Sequence, residues 1–332
     1  MSTHLPRLRA AVLASGLATL IMASAANAAT NKIGGDIRVV DSDGTTLNDA
    51  RQYTGTATVK TSAKADCFGE GTGGSGDKIT VPGATALGVV SDASRWDSDL
   101  KPLAITDAFS FGLGVCGFGD AIAPSTGYWY LKKNHVGSLT GGDQTTVENG
   151  DDILWYLIED FNDPPPAELE LKAPFAAEMG KSIPVQVFEY ADNGTKTPAA
   201  GATIKGTGVV TGADGTAQVP VTSNMKSLQA VRAGAIPSRE LDVCVTDDPG
   251  NACTAERPLE VNGSTADDKI KAEPKRVSEI NSRGGDDTID IRNVIKNSAT
   301  PRIRCGRGKD QILAGMKQKF DAAKSCEKVK KS

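Results

Sequence analysis

The sequence predicts a mainly β, multi-domain protein, and three observations carry that prediction. Its 332 residues include 36 Gly and 16 Pro but only 5% aromatics, which suits short strands joined by tight turns. Thr and Val recur in alternating runs, placing β-branched side chains on one face of a strand. The run Asp163-Pro164-Pro165-Pro166 reads as a stiff polyproline linker at 163–166. The chain that follows the leader, about 300 residues, is too long for one small core and suits two or three.

Residues 1–28 read as a signal peptide. Arg7 and Arg9 supply a basic start, Ala10 to Ala23 is apolar and small, and Ala26-Asn27-Ala28 has the small-x-small form of a cleavage site. Ser15, Gly16 and Thr19 interrupt the apolar run, which falls short of the roughly 20 residues of a spanning helix. No transmembrane span is therefore expected, and the expected location is secreted, extracellular or cell-surface associated. In that setting Cys67, Cys116, Cys244, Cys253, Cys305 and Cys326 read as disulfides. Fifteen connectivities are open. Neighbour pairing, 67 with 116, 244 with 253 and 305 with 326, is preferred because it keeps each bond within one domain. No C-x-x-C spacing favours metal instead.

Loss of the leader removes His4 and leaves His135 as the one histidine. Zinc sites built on two or three imidazoles are excluded, and a Ser-His-Asp or Cys-His centre would have to use His135. No G-x-S-x-G, P-loop or H-E-x-x-H stretch occurs. A carboxylate pair brought together by the fold stays open, but the chain is not expected to be an enzyme.

The first domain is expected over 35–162. Asp36 to Val40 and Thr56 to Thr61 alternate as strands, and Ala84 to Trp96 fits one short helix with Ser91, Asp92, Ser94 and Arg95 facing out. Two aromatic segments end the domain: Gly127-Tyr128-Trp129-Tyr130-Leu131-Lys132-Lys133-Asn134 and Asn149-Gly150-Asp151-Asp152-Ile153-Leu154-Trp155-Tyr156. Together they resemble the transcobalamin-like C-terminal domain family, in which an aromatic strand ends at an Asn turn and a Gly-Asp turn launches a last aromatic strand. Asn134-His135 stands where that family has Asn-Gly. The resemblance implies a β-grasp-like fold, with Trp129, Tyr130, Asn134 and Trp155 as candidate ligand contacts. It also invites cobalamin as ligand, but the sequence has no helical domain to complete a site for so large a molecule. His135 reads as a turn residue.

A second domain is expected over 167–247. Glu168 to Lys172, Ser182 to Glu189, Thr216 to Thr222 and Arg239 to Thr246 alternate with period two, and Asp214-Gly215 is a hairpin signal. With Pro198 to Ala202 and Ile236 to Arg239 leading into strands, the pattern resembles a bacterial immunoglobulin-like β-sandwich, of the kind that follows the transcobalamin-like module in actinobacterial secreted proteins. Such a sandwich implies a spacer.

The last segment, 263–332, is basic, with 17 Lys and Arg against 10 Asp and Glu, on a chain of net charge −4. Asp268-Lys269-Ile270, Asp287-Thr288-Ile289 and Asp310-Gln311-Ile312 recur, near the roughly 18-residue coil of a G-G-x-G-x-D-x-U-x repeat. The segment resembles a degenerate hemolysin-type repeat, which implies a short β-roll or β-solenoid-like stack with Asp268, Asp287 and Asp310 as possible calcium ligands. Missing glycines, and Arg283, Arg307 and Lys309 beside the turns, oppose a cation. Calcium is the one possible cofactor. The tail lysines 317, 319, 324, 328, 330 and 331 could attract an anionic partner; no nucleic-acid motif is present. The expected function is a non-catalytic binding or interaction protein of the secretome or cell surface, with an envelope protein or glycan as partner. Calcium-binding surface protein, cobalamin module and carboxylate-dependent glycan hydrolase are the alternatives.

Overall fold

The computed structural model describes residues 33–247, 259–272, 278–294, 301–316 and 318–331. The leader expected at 1–28, Cys253 and Lys317 lie outside them. The fold is mainly β, and among the described residues Ala86–Ser94 is the single α-helix.

The first region is organised by β1 (Ile33–Val40). It pairs antiparallel with β2 (Thr46–Thr54) and parallel with the last strand of the region. Two hairpin-like pieces follow: β3 (Ala57–Lys60) with β4 (Lys78–Val81), then, after helix α1 (Ala86–Ser94), β5 (Leu103–Thr106) with β6 (Gly114–Phe118) and β7 (Ala121–Ile122). The sheet closes with β8 (Tyr128–Lys133), β9 (Val136–Gly137) and β10 (Asp152–Ile158), in the order β2-β1-β10-β8-β9. Strand alternation gives this sheet two unlike faces. Ile37, Val39, Ile153, Trp155, Trp129 and Leu131 enter one core with α1 and the Cys67–Cys116 bridge. Arg38, Val40, Asp152, Leu154, Tyr130 and Lys132 stand on the opposite face.

Helix α1 corrects one expectation. Ser91, Asp92 and Ser94 do not face out; all nine helix residues are buried. Their polar atoms are satisfied inside: Thr54 donates to the Asp92 carboxylate at 2.9 Å, and Ser94 Oγ to the Ser91 carbonyl at 2.8 Å. Thr85 caps the start by accepting from the Gly88 N–H.

The middle region begins immediately after the proline run with β11 (Ala167–Lys172) and β12 (Ala176–Glu178). Next come β13 (Ser182–Tyr190) and β14 (Lys196–Pro198). Strand β13 is the hub, pairing with β11, β14 and Thr216–Pro220, while Ala235–Ile236 runs parallel to β11. Its core holds Leu169, Leu171, Val185, Val187, Ile204 and Val219. Cys244 is disulfide-bonded.

The C-terminal region is a parallel stack with two ladders. Leu259–Asn262, Ser278–Asn281, Arg302–Arg304 and Asp321–Ala322 make one. Lys269–Lys271, Thr288–Asp290, Gln311–Ala314 and Lys328–Lys331 make the other. Ile270, Ile289 and Ile312 lie in register and fully buried, as do Val261, Ile280 and Ile303. The first ladder joins the first region: Leu259–Asn262 pairs parallel with β2, producing one nine-stranded sheet. Tyr53 enters the core of the stack, the Gln52 amide donates to the Gly263 carbonyl, and Arg283 lies over the Trp96 ring at 4.7 Å. The β2 edge thereby covers the open end of the first coil.

At the far end the Cys305–Cys326 bridge closes a sequence separation of 21. Replacing both cysteines with serine should cost about 3 kcal/mol by loop entropy. Hydrogen exchange should show faster exchange at 301–331 with the first region unchanged.

Candidate functional site

The candidate ligand contacts fall into three environments. Trp129 and Trp155 are a correction: both are core residues, 6% and 2% exposed, packed edge-on against Phe118 at 4.6 and 5.5 Å. They sit on the inward face of β8 and β10, so no ligand reaches them. Asn134 is a turn lock. Its amide donates to Asp151 at 2.7 Å and its oxygen accepts the Asp152 N–H at 2.8 Å, which ties the end of β8 to the start of β10. Tyr130 is on the outer face, but its hydroxyl donates to Asp192 of the middle region.

That outer face is where the first and middle regions meet. Val40, Leu154 and Ile236 make a small apolar contact, with Tyr156 against it. Beside it Arg38, 1% exposed, donates to the Pro237 carbonyl at 2.8 Å and to Glu168 Oε1 at 2.5 Å. The other Glu168 oxygen meets His135 Nδ1 at 3.0 Å. The His135 ring stacks on Tyr190 with centroids 3.7 Å apart and planes 6° from parallel. Arg239 bridges Asp152, at 2.9 Å, and Asp49. Lys132 is 1% exposed and its ammonium has no hydrogen-bond partner among the described residues.

His135 is thus more than a turn residue. It follows Asn134 in a turn where both have positive φ, 52° and 69°, a geometry that favours Asn-Gly. A histidine held there accepts a backbone cost, and its ring is used between Glu168 and Tyr190. Burial pulls its pKa down, but the Glu168 hydrogen bond and charge outweigh burial and leave the pKa raised. Burial likewise opposes ionisation of Glu168, yet His135 and Arg38 hold its pKa below the ordinary value. Asp152 goes the other way: burial pushes it up to about 6.

Donor atoms of His135, Asp152 and Glu168 lie within 4.8 Å of one another, the spacing a metal ion would need. The donor set fits an ion poorly, because Arg38 already neutralises Glu168 and Arg239 already neutralises Asp152. The arrangement is an ion-pair network across two modules. Sequence reasoning missed Arg38, Asp152 and Glu168; the available signals were an arginine inside the alternation of β1 and a lysine closing the aromatic strand.

The repeated aspartates form a second buried array. Asp268, Asp287 and Asp310 are each at most 1% exposed. The Asp268 N–H donates to Asp287 Oδ1 at 2.9 Å, the Asp287 N–H to Asp310 Oδ1 at 3.1 Å, and the Asp310 N–H to Glu327 at 2.7 Å. A neighbouring column runs in the opposite sense, from the Asp286 N–H to Asp267 and from the Lys309 N–H to Asp286. The carboxyls therefore occupy the turns as acceptors between coils. Burial raises Asp310 and pushes Asp287 up to about 8, with neighbouring acids adding to the rise. Asp287 and Asp310 each engage a main-chain donor through Oδ1 and keep Oδ2 buried with no hydrogen-bond partner among the described residues.

Comparison with protein-family models, with curated proteins and with solved structures returns no match.

Two outcomes follow from the charges. The His135–Glu168 pair stabilises fully below the ordinary histidine pKa and is lost as pH rises through the raised one. His135→Gln should therefore lower the melting temperature at pH 6, a loss of about 1 kcal/mol for a partly exposed pair, and the gap should narrow toward pH 9. Asp287, raised above its unfolded value, contributes stability at low pH that is lost as pH rises toward 8. Asp287→Asn keeps the acceptor and should flatten that decline, whereas Asp287→Ala strands a buried N–H at a cost of about 1–3 kcal/mol; thermal melts across pH 5–9 check both.

Proposed function

We propose that this chain is a secreted or cell-surface, non-catalytic binding protein. In this reading a transcobalamin-like, β-grasp-like first module is the contact unit, an immunoglobulin-like module braces it, and a degenerate β-roll extends it. One observation carries the proposal: the first region leaves an aromatic cluster on its surface while its densest ionisable groups are spent between modules. Phe68 and Phe111 are 43% and 73% exposed. Phe109 sits between them, edge-on to Phe68 at 5.4 Å and stacked on Phe111 at 5.0 Å.

The local sequence builds this cluster. Phe68 follows Cys67, whose bridge to Cys116 pins its loop to β6. Gly114 lies beneath the rings, and a Cβ there would meet Phe68 at 2.7 Å. Gln144 donates to the Phe111 carbonyl and Asp143 accepts the Leu113 N–H at 3.2 Å, which holds the second loop. Exposed apolar groups gathered in one place mark interaction surfaces more often than scattered ones do, and rings of this kind suit a protein or glycan of the cell envelope. Disulfides, together with the fact that no described helix is long and apolar enough to cross a membrane, are compatible with an extracellular setting.

The expected result is that Phe68→Ser with Phe111→Ser leaves the melting temperature within a few degrees of wild type and cuts retention on a purified envelope fraction about tenfold. Undiminished retention by the folded variant would move the contact surface elsewhere.

A further inference from the structure

A separate feature of the first region is a cleft rich in cations and hydroxyls. One hollow, of about 490 Å³, is walled by Thr58, Lys60, Lys78 and Arg95 together with Ser264 and Thr265 from the first coil of the C-terminal region. A second, of about 620 Å³, shares Thr58, Lys60 and Arg95 with it and adds Lys64. The hairpin register places Lys60 directly opposite Lys78. Like charges facing each other across an antiparallel pair weaken it, and neither lysine, nor Lys64, is in an ion pair with a described residue. The hairpin thus carries a repulsion that packing does not require.

The lining also says what would relieve it. Among the described residues Asp92 is the one carboxylate in either hollow, and it is already engaged by the Thr54 hydroxyl and by Arg95 Nε at 3.3 Å. Among the described residues no aromatic ring lines either hollow, so bases have no surface there on which to stack. Ala63, Pro102 and Leu103 add apolar wall to the second hollow, whereas the first has only Ala266 and does not suit a hydrophobic ligand. What remains is positive charge for an oxyanion and threonine and serine hydroxyls for a hydroxylated chain.

We infer that this cleft binds a polyanionic carbohydrate chain, a polymer of sugar or polyol units bearing phosphate or sulfate groups. Lys60, Lys78 and Arg95 meet the oxyanion, and the Thr58 and Thr265 hydroxyls meet the chain. Because the first coil supplies one wall, the ligand contacts both the first and C-terminal regions. The site is distinct from the aromatic cluster and does not depend on it.

The test is calorimetric titration of the full chain with poly(glycerol phosphate), dextran sulfate, neutral dextran and oligothymidylate at two salt concentrations. Binding is expected for poly(glycerol phosphate) or dextran sulfate, the tighter of the two identifying phosphate or sulfate as the source, and it should weaken with salt. Lys60→Gln with Lys78→Gln should reduce affinity about tenfold or more, with the melting temperature unchanged or slightly raised as the repulsion is removed. Phe68→Ser with Phe111→Ser should bind the polyanion as wild type does, which separates this site from the envelope contact. A control with Lys328, Lys330 and Lys331 changed to Gln should also retain affinity. The inference is overturned if wild type binds neither polyanion, if neutral dextran or oligothymidylate binds equally well, or if the tail variant loses affinity while the cleft variant keeps it.

Discussion

A guanidinium buried to 1% exposure must be met by charge, and the placement of Arg38 on the outer face of β1 constrains everything around it. Leaving such a group unpaired costs several kcal/mol, so the first region cannot present that face to an apolar partner or leave it half covered. Glu168, only two residues into the chain after the last proline of the linker, supplies the countercharge. The proline run therefore turns the chain back rather than holding two modules apart. Once Glu168 is placed, His135 and Tyr190 follow as its lid, and Arg239 closes the far side on Asp152 and Asp49.

The other exposed feature of the same sheet is its β2 edge, and it is dealt with by pairing. A parallel stack has two open ends, each a row of unsatisfied main-chain groups. One end is covered when Leu259–Asn262 adds to β2, so a single hydrogen-bonded ladder runs from the first region into the coils. At the other, Lys328–Lys331 is an edge strand with every side chain exposed and three of its four residues lysine, the charge pattern that discourages further strand addition. Between the ends, carboxyls at successive turns accept main-chain N–H groups from adjacent coils in two opposed columns. Those bonds tie successive coils together at their turns.

Much of the strand pattern was legible. Alternation located β1, β3, β11 and β13 to within a few residues, since period two reports directly which side chains share a face, and the two aromatic segments coincide with β8 and β10. The Asp-x-Ile spacing also found the registered isoleucines, because stacking requires the same residue type at each coil. Burial of α1 was not legible: Ser91, Asp92 and Ser94 look like a solvated face until Thr54 and Arg95 are known to satisfy Asp92. The aromatic residues showed the same limit. The sequence left open which of Trp129, Tyr130, Trp155 and Tyr156 enter the core, and the contact between regions joins residues from 33 to 199 positions apart. Such pairings leave no periodic trace.

The charges sort by what their loss would cost. Arg38 with Glu168 is a buried ion pair, so removing one partner exposes the other to a penalty of about 3–5 kcal/mol, and the turn carboxyls hold main-chain donors of the next coil; these positions answer to the fold. Lys60 and Lys78 are exposed and opposed, and their mutual repulsion is a matter of roughly 1 kcal/mol or less. A fold loses nothing by exchanging either for a neutral residue. Charge that supports no internal contact is free to meet a group from outside the chain, and the cleft wall is where the first region and the coil stack, joined by the β2 ladder, bring that charge together.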